Sequence, residues 1–242
     1  MKCVIKKLTI GVLIAVTLFI MGGCADMSQL EMKLDQQVND KKDIFLAHME
    51  EKYGMTFLPL SYAGKGYVTA EEFRCYAEGT DPERDYISVF TLEEDGREVI
   101  VDDYFGIVIR DEYQKRVDAA ADAVAGDAKA YVYRYTVSYF DNALTAENTI
   151  DDAIAMGQRI SAYKYVFLEV TPGTEADFEN TCDRIAEKLK SNKLTGIVVF
   201  YGLAQGQLAE ISESNYLTYL PGTVKPDGVV CLMKAERRVS QN

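Results

Sequence analysis

Read for the spacing of apolar and polar positions, the chain begins with 14 uncharged apolar residues, Leu8 to Met21, preceded by Lys2, Lys6 and Lys7. A bilayer-spanning helix needs about 17–25 apolar residues, so a run this short behind a basic start predicts a cleaved export signal. Ala25 to Asn39 is polar, with Met27, Leu30, Leu34 and Val38 three or four apart, and is read as a tether able to become helical. From Asp40 the period of 3.6 is firm: Ile44, Phe45, His48, Met49 and Tyr53 predict a helix over about 41–53 that Gly54 stops. Strands follow near 55–62, 67–76, 86–92 and 97–101. The Glu93-Glu94-Asp95-Gly96 turn pairs the last two as an antiparallel hairpin.

A long helix is predicted over about 104–125, with Tyr104, Ile107, Val108, Val117, Ala120, Ala121 and Val124 inward and Gly126 ending it. The rhythm then changes. Strands at 131–140, 163–170 and 197–201 are separated by helices whose starts, Thr149-Ile150-Asp151-Asp152 and Thr174-Glu175-Ala176-Asp177, both read as capping boxes. Alternation of this kind predicts crossover connections and at least three parallel strands. Residues 208–219 fit a helix or a strand equally well. Pro221-Gly222 and Pro226-Asp227-Gly228 are turns, and 229–234 is a closing strand. The expectation is an α+β protein: a signal peptide over 1–23, a tether over 24–39, an N-terminal helix with an antiparallel sheet over 40–126, and an α/β half over 127–242.

Composition narrows the function. Hydrophobic residues at 48% and charged residues at 26% belong to a folding chain rather than a disordered one. The formal charge is −12, and removal of the three leader lysines leaves 23 basic against 38 acidic residues, a balance of −15. Nucleic-acid binding draws on clustered cations, so no nucleic-acid partner is expected. With one histidine, no tryptophan and no GxSxG elbow, familiar nucleophilic chemistry has little to work with. His48 would have to be the base of any Ser-His or Cys-His mechanism, and it is read as a helix-surface residue.

Of five cysteines, Cys3 leaves with the leader, and Cys75, Cys182 and Cys231 remain in the body beside Cys24. Cys182 with Cys231 is the pair to test for a bridge. Cys182 also shares a helical stripe with Phe178, Ile185 and Leu189, which reads as a buried thiol. No two cysteines lie close in sequence, and the acidic pairs Glu71-Glu72, Asp102-Asp103 and Asp151-Asp152 follow no calcium-loop pattern. They are read as solvated turns and helix starts. Gly64-Lys65-Gly66 and the Gly202 to Gly206 stretch match neither phosphate-loop spacing. No catalytic, cofactor or metal residues are assigned. Tyr131, Tyr133, Tyr135 and Tyr139 occupy alternate positions and predict one tyrosine-bearing strand face, either packed beneath a helix or open as a stacking platform.

Ile20-Met21-Gly22-Gly23-Cys24 resembles the lipobox of bacterial lipoproteins, in which the cysteine is acylated and becomes the first mature residue. The segments EEKYG (50–54) and DDYFG (102–106) are similar to uncharacterised lipoproteins of low-GC Gram-positive bacteria. That resemblance implies no activity and no functional residue beyond Cys24. The expectation is a domain held by lipid at the outer face of the cytoplasmic membrane, binding an envelope protein or a small molecule. A solute-binding lipoprotein of a transporter and a carboxylate-dependent envelope hydrolase are the alternatives.

The lipid assignment is directly testable. Mass spectrometry of the membrane-extracted protein is expected to find residues 1–23 absent and a lipid mass on Cys24, and Cys24→Ala to abolish both. An unchanged mature mass with lipid still attached in that variant would sink it.

Overall fold

The computed structural model describes residues 35–64, 71–137, 139–219 and 231–240. The leader, Cys24, most of the tether, Lys65-Gly66 and the turns at Pro221 and Pro226 lie outside the described residues. The architecture is α+β, with five helices and eight strands in two four-stranded sheets among the described residues. The chain divides into two compact units after Ile100. The boundary expected near 126 therefore moves upstream, because the helices of 104–125 share a core with the second sheet rather than the first.

In the first unit, helix α1 (35–53) begins earlier than its pattern suggested and ends where Gly54, at φ 66°, donates its N–H to the Glu50 carbonyl. Strands β1 (Phe57–Ala63), β2 (Glu72–Ala77), β3 (Ile87–Glu94) and β4 (Arg97–Asp102) form a sheet in sequence order. Asp95 and Gly96 both have positive φ, as a two-residue hairpin turn matched to strand twist requires. Phe73, Cys75 and Ala77 alternate inward along β2, and Ile87 and Val89 along β3. Phe45, Met49 and Tyr53 form the buried stripe of α1, and the Phe45 ring stacks on Phe73 at 5.5 Å.

The second unit contains α2 (Tyr104–Val108), α3 (Arg110–Ala125), β5 (Lys129–Tyr135), α4 (Ile150–Ala155), β6 (Ser161–Glu169), α5 (Glu175–Ser191), β7 (Thr195–Leu203) and β8 (Cys231–Val239). The single helix expected over 104–125 is broken at Ile109. That break resets the inward face to Phe105, Ile109, Tyr113, Val117, Ala120 and Ala121, while Ile107, Val108 and Val124 are only half-buried. One face of the sheet receives α3 and α5, with Phe178, Cys182, Ile185 and Leu189 of α5 packed into the same core as Val166, Val198 and Phe200.

Strand order is β5-β6-β7-β8, and only β6 and β7 run parallel. The expectation of three parallel strands fails, because β6 returns antiparallel to β5. The connection between them carries only the six-residue α4, which rises about 9 Å against the roughly 23 Å of a seven-residue strand and so does not run the length of the sheet as α5 does. The 17 residues of α5 rise about 25 Å and carry the crossover from β6 to β7. Thr149 and Asp152 do form the reciprocal capping box. Thr174 does not: its hydroxyl donates to the Thr171 carbonyl at 2.6 Å, so it caps the preceding turn instead of α5. Residues 208–219 are neither helix nor strand but two short 3-10 turns, Leu208–Glu210 and Tyr216–Tyr219. They are pinned across the other face of the sheet by Lys129, which donates to the Ile211 carbonyl, and by Glu169, which accepts from the Gly206 and Leu208 amides. Cys75, Cys182 and Cys231 are all free thiols, and burial pushes the Cys182 thiol up to about 12.

The tyrosine face predicted for β5 is divided. A bulge between Val132 and Arg134 leaves Tyr133 without a partner on β6 and inverts the alternation after it. Tyr131 stacks on Tyr216 at 4.5 Å on the turn-covered face, and Tyr133 lies 5.8 Å from Tyr165 on that same side. Tyr135 points the other way, edge-on to Tyr113 at 5.4 Å and to Phe140 at 6.0 Å in the helix-covered core. Tyr139 follows the strand end and is exposed. The space beneath Tyr135 depends on Gly106, where a Cβ would come within 2.9 Å of the ring. Tyr135→Ala is expected to cost about 3 kcal/mol or more, and Tyr133→Ala less than about 1 kcal/mol, in denaturant titrations. Equal effects would contradict the inverted alternation.

Candidate anion-binding cleft

The inversion at Tyr133 has a second result: it turns Arg134 toward the turn-covered face. Pairing then aligns Arg134 with Tyr163, Tyr163 with Ile197 and Ile197 with Arg238, one residue from each strand in a single cross-strand row. Residues opposed in this way share a face. Neighbouring strands lie about 4.8 Å apart, so the two arginines at the ends of the row have backbones about 14 Å apart. The Arg134 guanidinium leans inward, 5.3 Å from the Tyr163 ring centre and 5.5 Å from that of Tyr133. Such stacking holds a guanidinium by its face and leaves its N–H edge available.

The row forms one wall of a cleft of about 710 Å³ at the sheet end where β6 and β7 begin and β5 and β8 finish. Arg159 enters from the segment before β6, and Thr136 donates its hydroxyl to that of Ser161 at 2.7 Å across the opening. Three arginines line the cleft, and among the described residues no aspartate or glutamate does. None of the three makes an ion pair with a described residue, whereas Arg116 bridges Glu112 and Asp151, and Arg237 bridges Glu179 and Asp183. In those bridges the carboxylates are already matched. In the cleft the positive charge has no such partner.

Beneath the cleft lies a buried lysine. Lys164 belongs to the inward set of β6, with Ala162, Val166 and Leu168, and is fully buried. Its ammonium donates to the carbonyls of Thr195 at 2.5 Å and Ala162 at 3.1 Å and sits 5.6 Å from the Tyr113 ring centre. Tyr113 donates its hydroxyl to the same Thr195 carbonyl. No carboxylate is among its partners, so burial alone pushes the lysine down to about 7.

The residues weighed from sequence lie elsewhere. His48 is half-buried on α1 in the first unit. Glu71 accepts from Lys41, Tyr62 and Thr91, which makes it a fastening between α1 and the first sheet. Asp151 and Asp152 are a surface ion-pair partner and a cap, as helix-start residues should be. Asp102 departs from the solvated reading: it is fully buried, and its carboxylate accepts from the Tyr104 amide. The Gly206 amide is taken by Glu169, so the turn after β7 has no phosphate-loop function, and the space beside Gly202 is filled by Val170 and Met233. Among the described residues no group of three or more histidine, cysteine, aspartate or glutamate side chains is placed to hold a metal. Lys164 could have been found by parity, since it interrupts an otherwise apolar alternate set on a predicted strand. The three arginines come from distant segments that only the sheet register unites.

The buried lysine gives a signed pH prediction. Its pKa falls from 10.5 unfolded to about 7 folded, so between those values the unfolded chain binds more protons and stability rises with pH. The full range amounts to about 5 kcal/mol. Lys164→Met is expected to flatten that rise and to be more stable than the parent at pH 6, less the cost of about 1–3 kcal/mol for carbonyls left without a donor. Chemical denaturation of both proteins from pH 6 to 10 measures it, and parallel curves would disprove the assignment.

No protein-family model matches the chain, and no curated protein matches it. Among solved structures it resembles a DUF5037 family protein from Ruminococcus gnavus, at 13% identity over 69% of this chain and 76% of that one, with a TM-score of 0.32. A likeness that low bears on neither fold detail nor function.

Proposed function

We propose that this protein is a lipid-anchored extracytoplasmic binding domain whose ligand is an anion held by Arg134, Arg159 and Arg238. The observation that carries the reading is a cleft lined by three arginines and, among the described residues, by no carboxylate, in a chain of net charge −12. Like charges gathered in a cleft repel one another, and an anion entering it relieves that repulsion while gaining charge-assisted hydrogen bonds. The lipobox-like Gly22-Gly23-Cys24 supports the location: two or three acyl chains would hold the domain stably at the outer face of the cytoplasmic membrane, where a single chain is marginal.

The alternatives find less support. A solute-binding lipoprotein of a transporter would close two α/β lobes on its ligand, whereas the described residues of the first unit form an antiparallel sheet with one helix and the cleft is lined by residues of the second unit. A carboxylate-dependent hydrolase needs paired acids at its cleft, and none lines this one.

Calorimetric titration of the full chain in neutral detergent with phosphate, sulfate and acetate tests the reading. Arg134→Gln and Arg159→Gln are each expected to weaken binding by about tenfold or more, Arg238→Gln by less, and the triple variant to abolish it, while Arg74→Gln in the first unit leaves it unchanged. Anion affinity equal in parent and triple variant, or no anion affinity in the parent, would refute it.

A further inference from the structure

Resting on that anion reading, we infer that the ligand is an organic phosphate, a phosphate monoester or diphosphate joined to an apolar or planar body, with the phosphate at Arg134 and Arg159 and the body lying over Ile197 toward Arg238. Charge and shape lead to this independently. A carboxylate brings one negative charge to a cleft lined by three guanidinium groups and leaves two of them uncompensated. A phosphate monoester carries nearly two negative charges at neutral pH, a diphosphate more, and either presents several acceptor oxygens to forked N–H edges. The hydroxyls of Thr136 and Ser161, bonded to each other at one edge of the cleft, supply further polar contacts of the kind a phosphate oxygen takes.

The middle of the row argues against an inorganic ion. Tyr163 and Ile197 occupy the two central strands and are only half-buried. Because Arg134 leans over Tyr163, the interval it leaves before Arg238 is centred on Ile197 and is apolar. A bare phosphate would leave that surface wet, whereas an attached ring or hydrocarbon would cover it.

The test compares inorganic phosphate, phenyl phosphate and benzoate by calorimetry on the full chain in neutral detergent. Phenyl phosphate is expected to bind about tenfold or more tightly than either of the others. Ile197→Thr keeps a β-branched strand residue and is expected to reduce the preference for phenyl phosphate over inorganic phosphate while leaving inorganic phosphate unchanged. Arg238→Gln is expected to weaken phenyl phosphate. Benzoate binding as tightly as phenyl phosphate would overturn the phosphate assignment with the anion cleft intact. Inorganic phosphate matching phenyl phosphate, or an Ile197→Thr variant with undiminished preference, would overturn the organic body. Loss of all anion binding in the parent would instead remove the underlying reading. Competition by a short-chain phosphatidic acid that outbinds phenyl phosphate assigns the ester to a lipid headgroup; failure to compete assigns it to a soluble phosphate ester.

Discussion

At Gly196 the second sheet leaves no room for a side chain: a Cβ there would stand 2.1 Å from the Ala162 carbonyl oxygen, with φ at +120°. Ala162 is its direct partner in the parallel ladder that runs from Ser161 with Thr195 to Glu169 with Leu203. Any larger residue would force the two central strands apart at the end where the cleft opens. The Ala162 carbonyl is also one of the two that receive the Lys164 ammonium, and the Thr195 carbonyl beside Gly196 is the other. The close approach therefore fixes together the ladder register, the seat of the buried lysine and the alignment that carries Arg134, Tyr163, Ile197 and Arg238 across four strands.

Lys164 and the arginines of the cleft show opposite solutions to holding a cation in a fold. Lys164 is shut away from water with carbonyl dipoles and a ring face in place of a counter-ion, so desolvation makes its charge costly and favours the neutral amine. The arginines keep their charge at any working pH and remain at an opening, where solvent bears much of the cost of their proximity. Changes near pH 7 therefore act on the charge beneath the cleft, while the charge lining it stays fixed. The titrating group and the arginines of the row thus share a sheet but lie on opposite sides of it, so under the proposed reading stability and recognition would be physically separate.

How much of this was readable from the amino-acid order varies with the range of the interaction. Local signals transferred well: the Asp95-Gly96 turn, the Thr149 to Asp152 capping box and the α5 stripe through Cys182 all depend on neighbours within four residues. Equally local signals failed when a competing partner was available, as at Thr174, whose hydroxyl found the Thr171 carbonyl. The parallel-sheet expectation failed because alternation of elements specifies their order and not their direction: the connections 136–160 and 170–194 are equally long, yet only the second crosses over. The cleft was illegible for a deeper reason. A single extra residue at Tyr133 decides which way Arg134 faces, and strict two-residue alternation cannot show a bulge that exists only against a partner strand. Arg238 then joins the row of Arg134 through three successive strand pairings, and Arg159 reaches the same cleft from the segment before β6, for which one sequence holds no marker.

The acidity of the chain looks at first unsuited to binding an anion. Screening resolves the conflict. At physiological ionic strength, fields from exposed charges decay over about 8 Å, so a ligand already in the cleft responds chiefly to the guanidinium groups within a few ångströms and weakly to the net charge of −12. The distant acids act instead on ligand size. A small phosphate ester can place all of its charge among the arginines, whereas a long polyanion must lay its remaining charges against a predominantly acidic surface and is repelled there. Under the proposed reading, a cationic cleft set in an acidic protein would select compact anions over polymeric ones. It would do so without any contact dedicated to rejecting the polymer, because the charge balance of the whole chain would supply the discrimination.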